Sequence, residues 1–225
     1  MRLIVVRHFK TYSNKAGKII GWGDSPPADD WENDVIFVNK TLQDHQIEFD
    51  AIYTSQLERA INTARYFANC RNNLSLFHNG QLNEVNYGSL NQQNKSWVEE
   101  HIPAYKTDPY FVFPEGESFH QMHERVVHFV KGLEAGNEDK TLLLVSHAGV
   151  IRSLVCHFLN LNYASNLKRR ISHRYIGNFL IENSHCIQYG ELGESSEFIS
   201  EKAITPLPHF LRAELKNQKA IKMSG

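Results

Sequence analysis

Arg7 and His8 directly follow the apolar run Leu3-Ile4-Val5-Val6, where a strand would end. A guanidinium beside an imidazole suits anion chemistry, because one orients negative charge while the other donates, accepts or attacks. Two further segments repeat the theme. Thr54-Ser55-Gln56-Leu57-Glu58-Arg59 follows the run Phe49 to Tyr53. Ser55 and Glu58 have the spacing of a helix capping box, with Ser55 as the N-cap. That puts Arg59 at about the end of the first turn, near the positive end of the helix dipole. Val145-Ser146-His147-Ala148-Gly149 places His147 after the most apolar run, Thr141 to Val145, and its small residues let a helix begin close by. Groups of like charge repel, so gathering Arg7, His8, Arg59 and His147 makes sense around an anion. Glu84, in Leu82-Asn83-Glu84-Val85-Asn86-Tyr87-Gly88, offers the carboxylate that proton transfer at a leaving group needs.

The elements that must position these groups are legible as an alternation of apolar runs and helical patterns. Strands are expected over 2–7, 49–53, 74–77 and 141–145, and helices over about 32–46, 56–71, 119–134 and 149–159. A short helix is expected near Trp97. Tyr175 to Glu182 and His185 to Tyr189 alternate like an edge hairpin across Asn183-Ser184. Residues 78–116 are loop-rich and read as a lid-like insertion, and 205–225 as a C-terminal tail with Lys216, Lys219 and Lys222. Strand–helix alternation implies a single α/β domain, a three-layer α/β/α sandwich with a mostly parallel central sheet. In such sheets ligands gather beyond the carboxyl ends of the strands, the edge to which these runs would deliver Arg7, His8, Arg59 and His147.

Bulk properties narrow the function class. The chain has 225 residues and a formal net charge of -1, so nothing in the overall balance points to nucleic acid or an anionic membrane. Any positive potential must be local. Cys70, Cys156 and Cys186 are odd in number and free of C-x-x-C pairs, which fits a reducing compartment. The chain starts directly in a strand without the pattern of a signal peptide, and no run approaches the ~18 apolar residues of a membrane span. A cytoplasmic protein acting on a small molecule is expected, and a homodimer is left open.

Five segments together resemble the histidine phosphatase superfamily, also called the phosphoglycerate mutase-like family. Arg7-His8-Phe9-Lys10-Thr11 with Asn14 is similar to its R-H-G-[ED]-[ST]-x-x-N signature, and Ser55 to Ala64 to its S-x-L-x-R-A-x-x-T-A segment. Leu82-Asn83-Glu84 with Tyr87-Gly88 resembles its acid/base loop. Gly116-Glu117-Ser118 resembles the G-E-S before its long helix, and Ser146 to Arg152 its second histidine motif. The matches fall in family order within residues 2–160. Two positions depart: Phe9 stands where the family usually has Gly, and Lys10 where it has an acid. An aromatic at 9 should fill space near the pocket mouth, and Lys10 should add charge at its rim.

The resemblance implies that His8 attacks phosphorus and carries a phosphohistidine, with its other ring nitrogen held by an acceptor such as a main-chain carbonyl. It implies that Arg7, Arg59 and His147 hold the phosphoryl oxygens, that Glu84 moves the proton, and that Asn14 donates at the pocket edge. Such a cage can replace Mg²⁺, so neither metal nor cofactor is expected. The motif His147-Ala148-Gly149-Val150-Ile151-Arg152 looks more like the phosphatase branch. Gly21-Trp22-Gly23-Asp24 and Asn91 to Lys95 look mutase-like. Phosphomonoester hydrolysis is expected, with mutase-type transfer and a non-catalytic phospho-ligand binder as the alternatives. Three other signals point to ordinary structure. His120 and His123, with His128 beyond, have i, i+3 spacing but no third metal ligand nearby in sequence, so a solvated or half-buried face is expected. Lys168-Arg169-Arg170 with His173 and Arg174 reads as a solvated loop, with binding of an acidic part of the substrate or a partner as the alternative. Phe111, Phe113 and Phe119 read as core, with an apolar pocket wall as the alternative.

Overall fold

The computed structural model describes residues 1–71 and 74–193. Six strands form one sheet in the order β3-β2-β4-β1-β5-β6. The strands β1 (Arg2–Arg7), β2 (Ala51–Thr54), β3 (Leu76–His78) and β4 (Thr141–Ser146) are mutually parallel where they pair. β5 (Ile176–Glu182) runs antiparallel to β1, and β6 (His185–Glu191) antiparallel to β5. Asn183 and Ser184 both have positive φ, 50° and 62°, as the expected two-residue hairpin turn demands.

The unbroken apolar runs exist because both faces of the sheet are covered. Leu3, Val5, Leu142 and Leu144 pack on one side, where they meet α5 (Phe119–Leu133) and α6 (Ala148–Phe158). Ile4, Val6, Leu143 and Val145 pack on the other, with α2 (Trp31–Asp44) and α3 (Glu58–Asn69). The result is the three-layer arrangement. Three shorter helices complete the described residues: α1 (Tyr12–Lys15), α4 (Lys95–His101) and α7 (Tyr163–Asn166). The segment 78–116 is well packed. Its Leu82, Val85, Tyr87, Leu90, Val98, Tyr105 and Phe113 join the core on the α5–α6 side. The expected tail over 205–225 lies outside the described residues.

Chain direction explains where a site can form. The chain leaving β1 crosses to the α2–α3 face, whereas the chain leaving β4 enters α6 on the opposite face. β1 and β4 are neighbours, so the two crossovers diverge and leave a crevice between the strands' carboxyl ends. Arg7 pairs in register with Ser146, which sets the first residues beyond each strand, His8 and His147, side by side.

The central layer should carry most of the stability. Leu144 is fully buried, so Leu144→Ala should lower the unfolding free energy by about 2–5 kcal/mol. Denaturant unfolding checks this, and a loss under ~1 kcal/mol would mean that the site collapses without a cavity.

Candidate active site

His8 sits on the floor of the crevice, 3% exposed, with its backbone N–H donating to the Ser146 carbonyl at 2.9 Å. Its ring Nδ1 lies 2.6 Å from the Phe9 carbonyl. A carbonyl only accepts, so Nδ1 carries the proton and Nε2 keeps its lone pair. Burial pushes the imidazole well below its usual pKa of 6.5, and the positive fields of Arg59 and Arg7 push the same way. The ring is therefore a neutral base with one nitrogen available. His173 donates from Nδ1 to the His8 carbonyl at 2.8 Å and stands edge-on to the His8 ring, with centroids 5.4 Å apart.

Two buried guanidinium groups flank this imidazole, and neither forms an ion pair among the described residues. Arg59 donates to the carbonyls of Gly23 at 2.7 Å and Gly21 at 2.6 Å. Arg7 donates to the carbonyl of Ile171. In each, Nε is buried without a hydrogen-bond partner among the described residues. Burial lowers Arg7 to about 9 and Arg59 to about 10, while Glu84 opposes both shifts. Main-chain oxygens thus orient the charges without neutralising them, which leaves them to an anion.

The capping-box expectation is corrected here. α3 begins at Glu58 with Leu57 as its N-cap, so Arg59 is its second residue rather than the end of its first turn. Ser55 is displaced from the cap because its hydroxyl is engaged elsewhere. It accepts from Leu57 N–H at 3.2 Å and meets His147 Nε2 at 2.8 Å. Donation of the hydroxyl hydrogen to Nε2 puts the His147 proton on Nδ1. That nitrogen is buried and has no partner among the described residues. His147 is fully buried, its ring centroid 5.1 Å from that of His8, and burial followed by the fields of Arg59 and Arg7 pushes its pKa well below 6.5.

Glu84 reaches the same cavity from the segment between β3 and α4. Its carboxylate accepts from the N–H of Val85 at 3.0 Å and of Gly149 at 3.1 Å. A Cβ on Gly149 would fall 2.1 Å from Glu84 Oε1, so only glycine at the start of α6 admits the carboxylate. The backbone behind Glu84 is held by Arg125, which donates to the carbonyls of Gln81 and Glu84 and forms an ion pair with Glu117.

The remaining expectations divide. Asn14 lines the cavity; its Oδ1 accepts from Thr11, while its side-chain nitrogen makes no hydrogen bond among the described residues. Lys10 is at the rim, tied to Asp30 and Asp34. Phe9 is a correction. Its side chain is 2% exposed, packs against Trp31 and does not line the cavity. It serves through its backbone, whose N–H donates to Thr63 Oγ1 and whose carbonyl holds His8. The basic segment 168–174 combines its two expected readings, since it lines the cavity while Lys168 and Arg170 stay exposed. Sequence reasoning named His173 there but gave it no role. Among the described residues no three His, Cys, Asp or Glu side chains are grouped to hold a metal; His123 Nδ1 meets Ser153 Oγ at 2.8 Å and His120 pairs with Glu124. Phe113 and Phe119 are core, as expected, with Phe111 packed against them.

The profile of the histidine phosphatase superfamily (branch 1) matches residues 3–185. The chain belongs to the histidine phosphatase superfamily. It is 31% identical over 170 residues to an adenosylcobalamin/alpha-ribazole phosphatase of Salmonella typhimurium, covering 73% of this chain and 83% of that protein. It is 29% identical over 162 residues to a 2,3-bisphosphoglycerate-dependent phosphoglycerate mutase of Bartonella bacilliformis, covering 68% and 79%. Among solved structures, Bacillus stearothermophilus YhfR superposes with a TM-score of 0.74 at 22% identity, covering 86% of this chain and 96% of that one. A putative alpha-ribazole-5'-P phosphatase from Escherichia coli superposes with a TM-score of 0.73 at 23% identity, covering 91% and 98%. Members of the superfamily include both phosphatases and mutases, and these likenesses agree with the fold expected from the strand–helix alternation.

Two outcomes follow from the geometry. Gly149→Ala should keep the fold, since alanine favours helix. It should nevertheless cut phosphoryl transfer by about 10²–10³-fold by displacing Glu84; unchanged turnover with native circular dichroism would refute the close approach. The second concerns acid. His8, His147 and His173 (lowered to about 2) are neutral when folded, but the unfolded chain protonates them near pH 6.5. Above pH 6.5 they add no pH dependence. As pH falls below it the unfolded state gains protons that the folded state refuses, so stability should drop by up to about 1.4 kcal/mol per pH unit for each. Denaturant midpoints between pH 7 and 5 measure this, and His173→Asn should flatten the slope.

Proposed function

We propose that this chain is a phosphomonoester hydrolase that works through a phosphohistidine on Nε2 of His8. The observation that carries the reading is the bond from His8 Nδ1 to the Phe9 carbonyl, which leaves Nε2 unprotonated beside two cations that have no carboxylate partner. A phosphoryl group in the crevice would lie among Arg7, Arg59 and His147 Nδ1, the donors that stabilise charge on its equatorial oxygens. His8 Nε2 forms the bond to phosphorus as the ester oxygen departs, and Glu84 supplies the proton to that oxygen. Water then attacks the phosphohistidine, Glu84 takes its proton, and phosphate leaves with the His8 lone pair restored. The substrate in this reading is a small phosphorylated molecule, and no metal or cofactor has a part in it.

Hydrolysis is favoured over transfer between two positions of a substrate by the cavity's rim. A mutase must keep its phosphohistidine from water, whereas here exposed side chains such as Lys168 and Arg170 line a mouth open to solvent. The likeness to the Salmonella phosphatase leans the same way. One observation favours a mutase. The mutase-like segments Gly21–Asp24 and Asn91–Lys95 lie together, tied by bonds between Ile19 and Gln93 and between Lys95 and Gly17; Gly21 and Lys95 line the cavity, and Gly21 and Gly23 hold Arg59.

Phosphate release from an aryl phosphate in EDTA should proceed with the wild type and fall by about 10⁴-fold in His8→Ala. Retained turnover in the variant would overturn the nucleophile assignment. Tight phosphate binding without turnover would mark a binding protein, and faster isomerisation of monophosphoglycerates than phosphate release would mark a mutase. Loss of activity in EDTA, restored by a divalent metal, would overturn the metal-free reading.

A further inference from the structure

Trp22 leaves 44% of its surface in solvent, and its side chain is not among those that line the cavity. Apolar burial therefore does not account for an indole at this place. Its one polar atom does. Trp22 Nε1 donates to the Glu84 carbonyl at 2.6 Å, a contact that spans 62 residues of sequence. An indole N–H only donates and carries no charge. A lysine or arginine there would bring a cation to the Glu84 carboxylate, which forms no ion pair among the described residues. The indole instead holds the backbone and leaves the acid unclaimed.

The carbonyl that Trp22 holds belongs to the peptide joining Glu84 to Val85, and the N–H of that same peptide donates to Glu84 Oε1 at 3.0 Å. Arg125 donates to the same carbonyl at 3.0 Å, with its own charge spent on Glu117. Two donors arriving from separate elements fix the plane of the peptide, which one alone would leave free to rock. They also polarise it, because an amide whose oxygen accepts donates more strongly from its nitrogen. The line from Trp22 Nε1 through the peptide to Oε1 is thus continuous, and the Gly149 N–H meets Oε2 at 3.1 Å.

Trp22 is itself seated by its two glycine neighbours. Gly23 N–H donates to the Ile20 carbonyl at 2.8 Å, closing a turn. Gly21 has a φ of 50°, and a Cβ there would fall 2.7 Å from Asn91 Oδ1 and 3.0 Å from the Val85 carbonyl oxygen. Only glycine lets the turn lie so close to the wall that carries Glu84. The carbonyls on either side of Trp22, those of Gly21 and Gly23, are the ones that orient Arg59.

We infer that Trp22 is a positioning residue for proton transfer. The Gly21-Trp22-Gly23 turn sets the Glu84 carboxyl group and the Arg59 guanidinium in one frame, so the proton donor meets the ester oxygen of the phosphoryl group that the cage holds. The inference rests on Glu84 being the group that protonates that oxygen.

Dependence on the leaving group tests it. kcat/KM reports the steps up to departure of the alcohol; 4-nitrophenoxide departs readily as an anion, whereas phenoxide calls for the proton of Glu84. Trp22→Phe keeps a ring on this exposed turn and removes only the N–H. It should lower kcat/KM about tenfold more for phenyl phosphate than for 4-nitrophenyl phosphate. Inhibition by inorganic phosphate, which reads the cage, should stay as in the wild type. Glu84→Gln should show a steeper contrast between the two esters, and adding Trp22→Phe to it should not widen that contrast, since both act through one group. An equal loss on both esters, no loss, weakened phosphate inhibition, or a contrast that adds to that of Glu84→Gln overturns the role of Trp22. A contrast in Glu84→Gln with none in Trp22→Phe removes Trp22 alone. If Glu84→Gln shows no contrast, the proton-donor assignment fails and the role of Trp22 falls with it.

Discussion

Arg7 and Arg59 are buried against main-chain carbonyls instead of carboxylates, and the rest of the site depends on that arrangement. Taking a guanidinium out of water is costly, and the usual remedy is an ion pair that cancels its charge. Here Ile171, Gly21 and Gly23 supply carbonyl dipoles that fix direction while leaving the charge in force. Burial, reinforced by that uncancelled field, holds His8 and His147 neutral. A carboxylate at either arginine would remove the affinity for an anion and loosen the constraint on the imidazoles together.

Such an arrangement survives only on a rigid base. The parallel pairing of β1 with β4 sets Arg7 beside Ser146, and the crossovers then leave in opposite directions. The third support is the contact between segments far apart in sequence, where Gly149 at the start of α6 receives Glu84 from the wall after β3. Glu117 and Arg125 brace that wall from α5 and the turn before it. Arg7 and His8 come from the end of β1, Arg59 from α3, His147 from the end of β4 and Glu84 from the wall. Backbone contacts fix Arg7, His8, Arg59 and Glu84, and the Ser55 hydroxyl holds His147.

The sequence made most of this legible because the determining signals were local. The run Leu3 to Val6 is apolar at every position, and both of its faces prove to be covered. Arg7, His8, Arg59, Glu84 and His147 were recognisable by type, by place at strand ends and by family order. The failures have a common physical origin in long-range competition. Ser55 and Glu58 have capping spacing, but His147, 92 residues away, takes the Ser55 hydroxyl and the helix starts later. Phe9 reads as a pocket residue until Trp31 is seen to pack on it. The segment 168–174 stays open between a solvated loop and a binding one until Arg7 is found holding the Ile171 carbonyl and His173 the His8 carbonyl. No local pattern encodes any of these partners.

Charge illustrates the same point at larger scale. A net charge of -1 excludes a protein that is basic throughout, but it says nothing about segregation. Folding gathers Lys95, Lys106, Arg152 and Arg170 from α4, the turn after it, α6 and the loop before β5. In sequence these cations are scattered among acids such as Glu99, Glu100, Asp108 and Glu115, none of which lines the cavity. The near-neutral total therefore conceals a topology that turns these acids away from the cavity and these basic groups into it. Selectivity for an anion arises from that sorting, because a cation excess confined to one low-dielectric crevice acts over short range without making the surface as a whole adhesive.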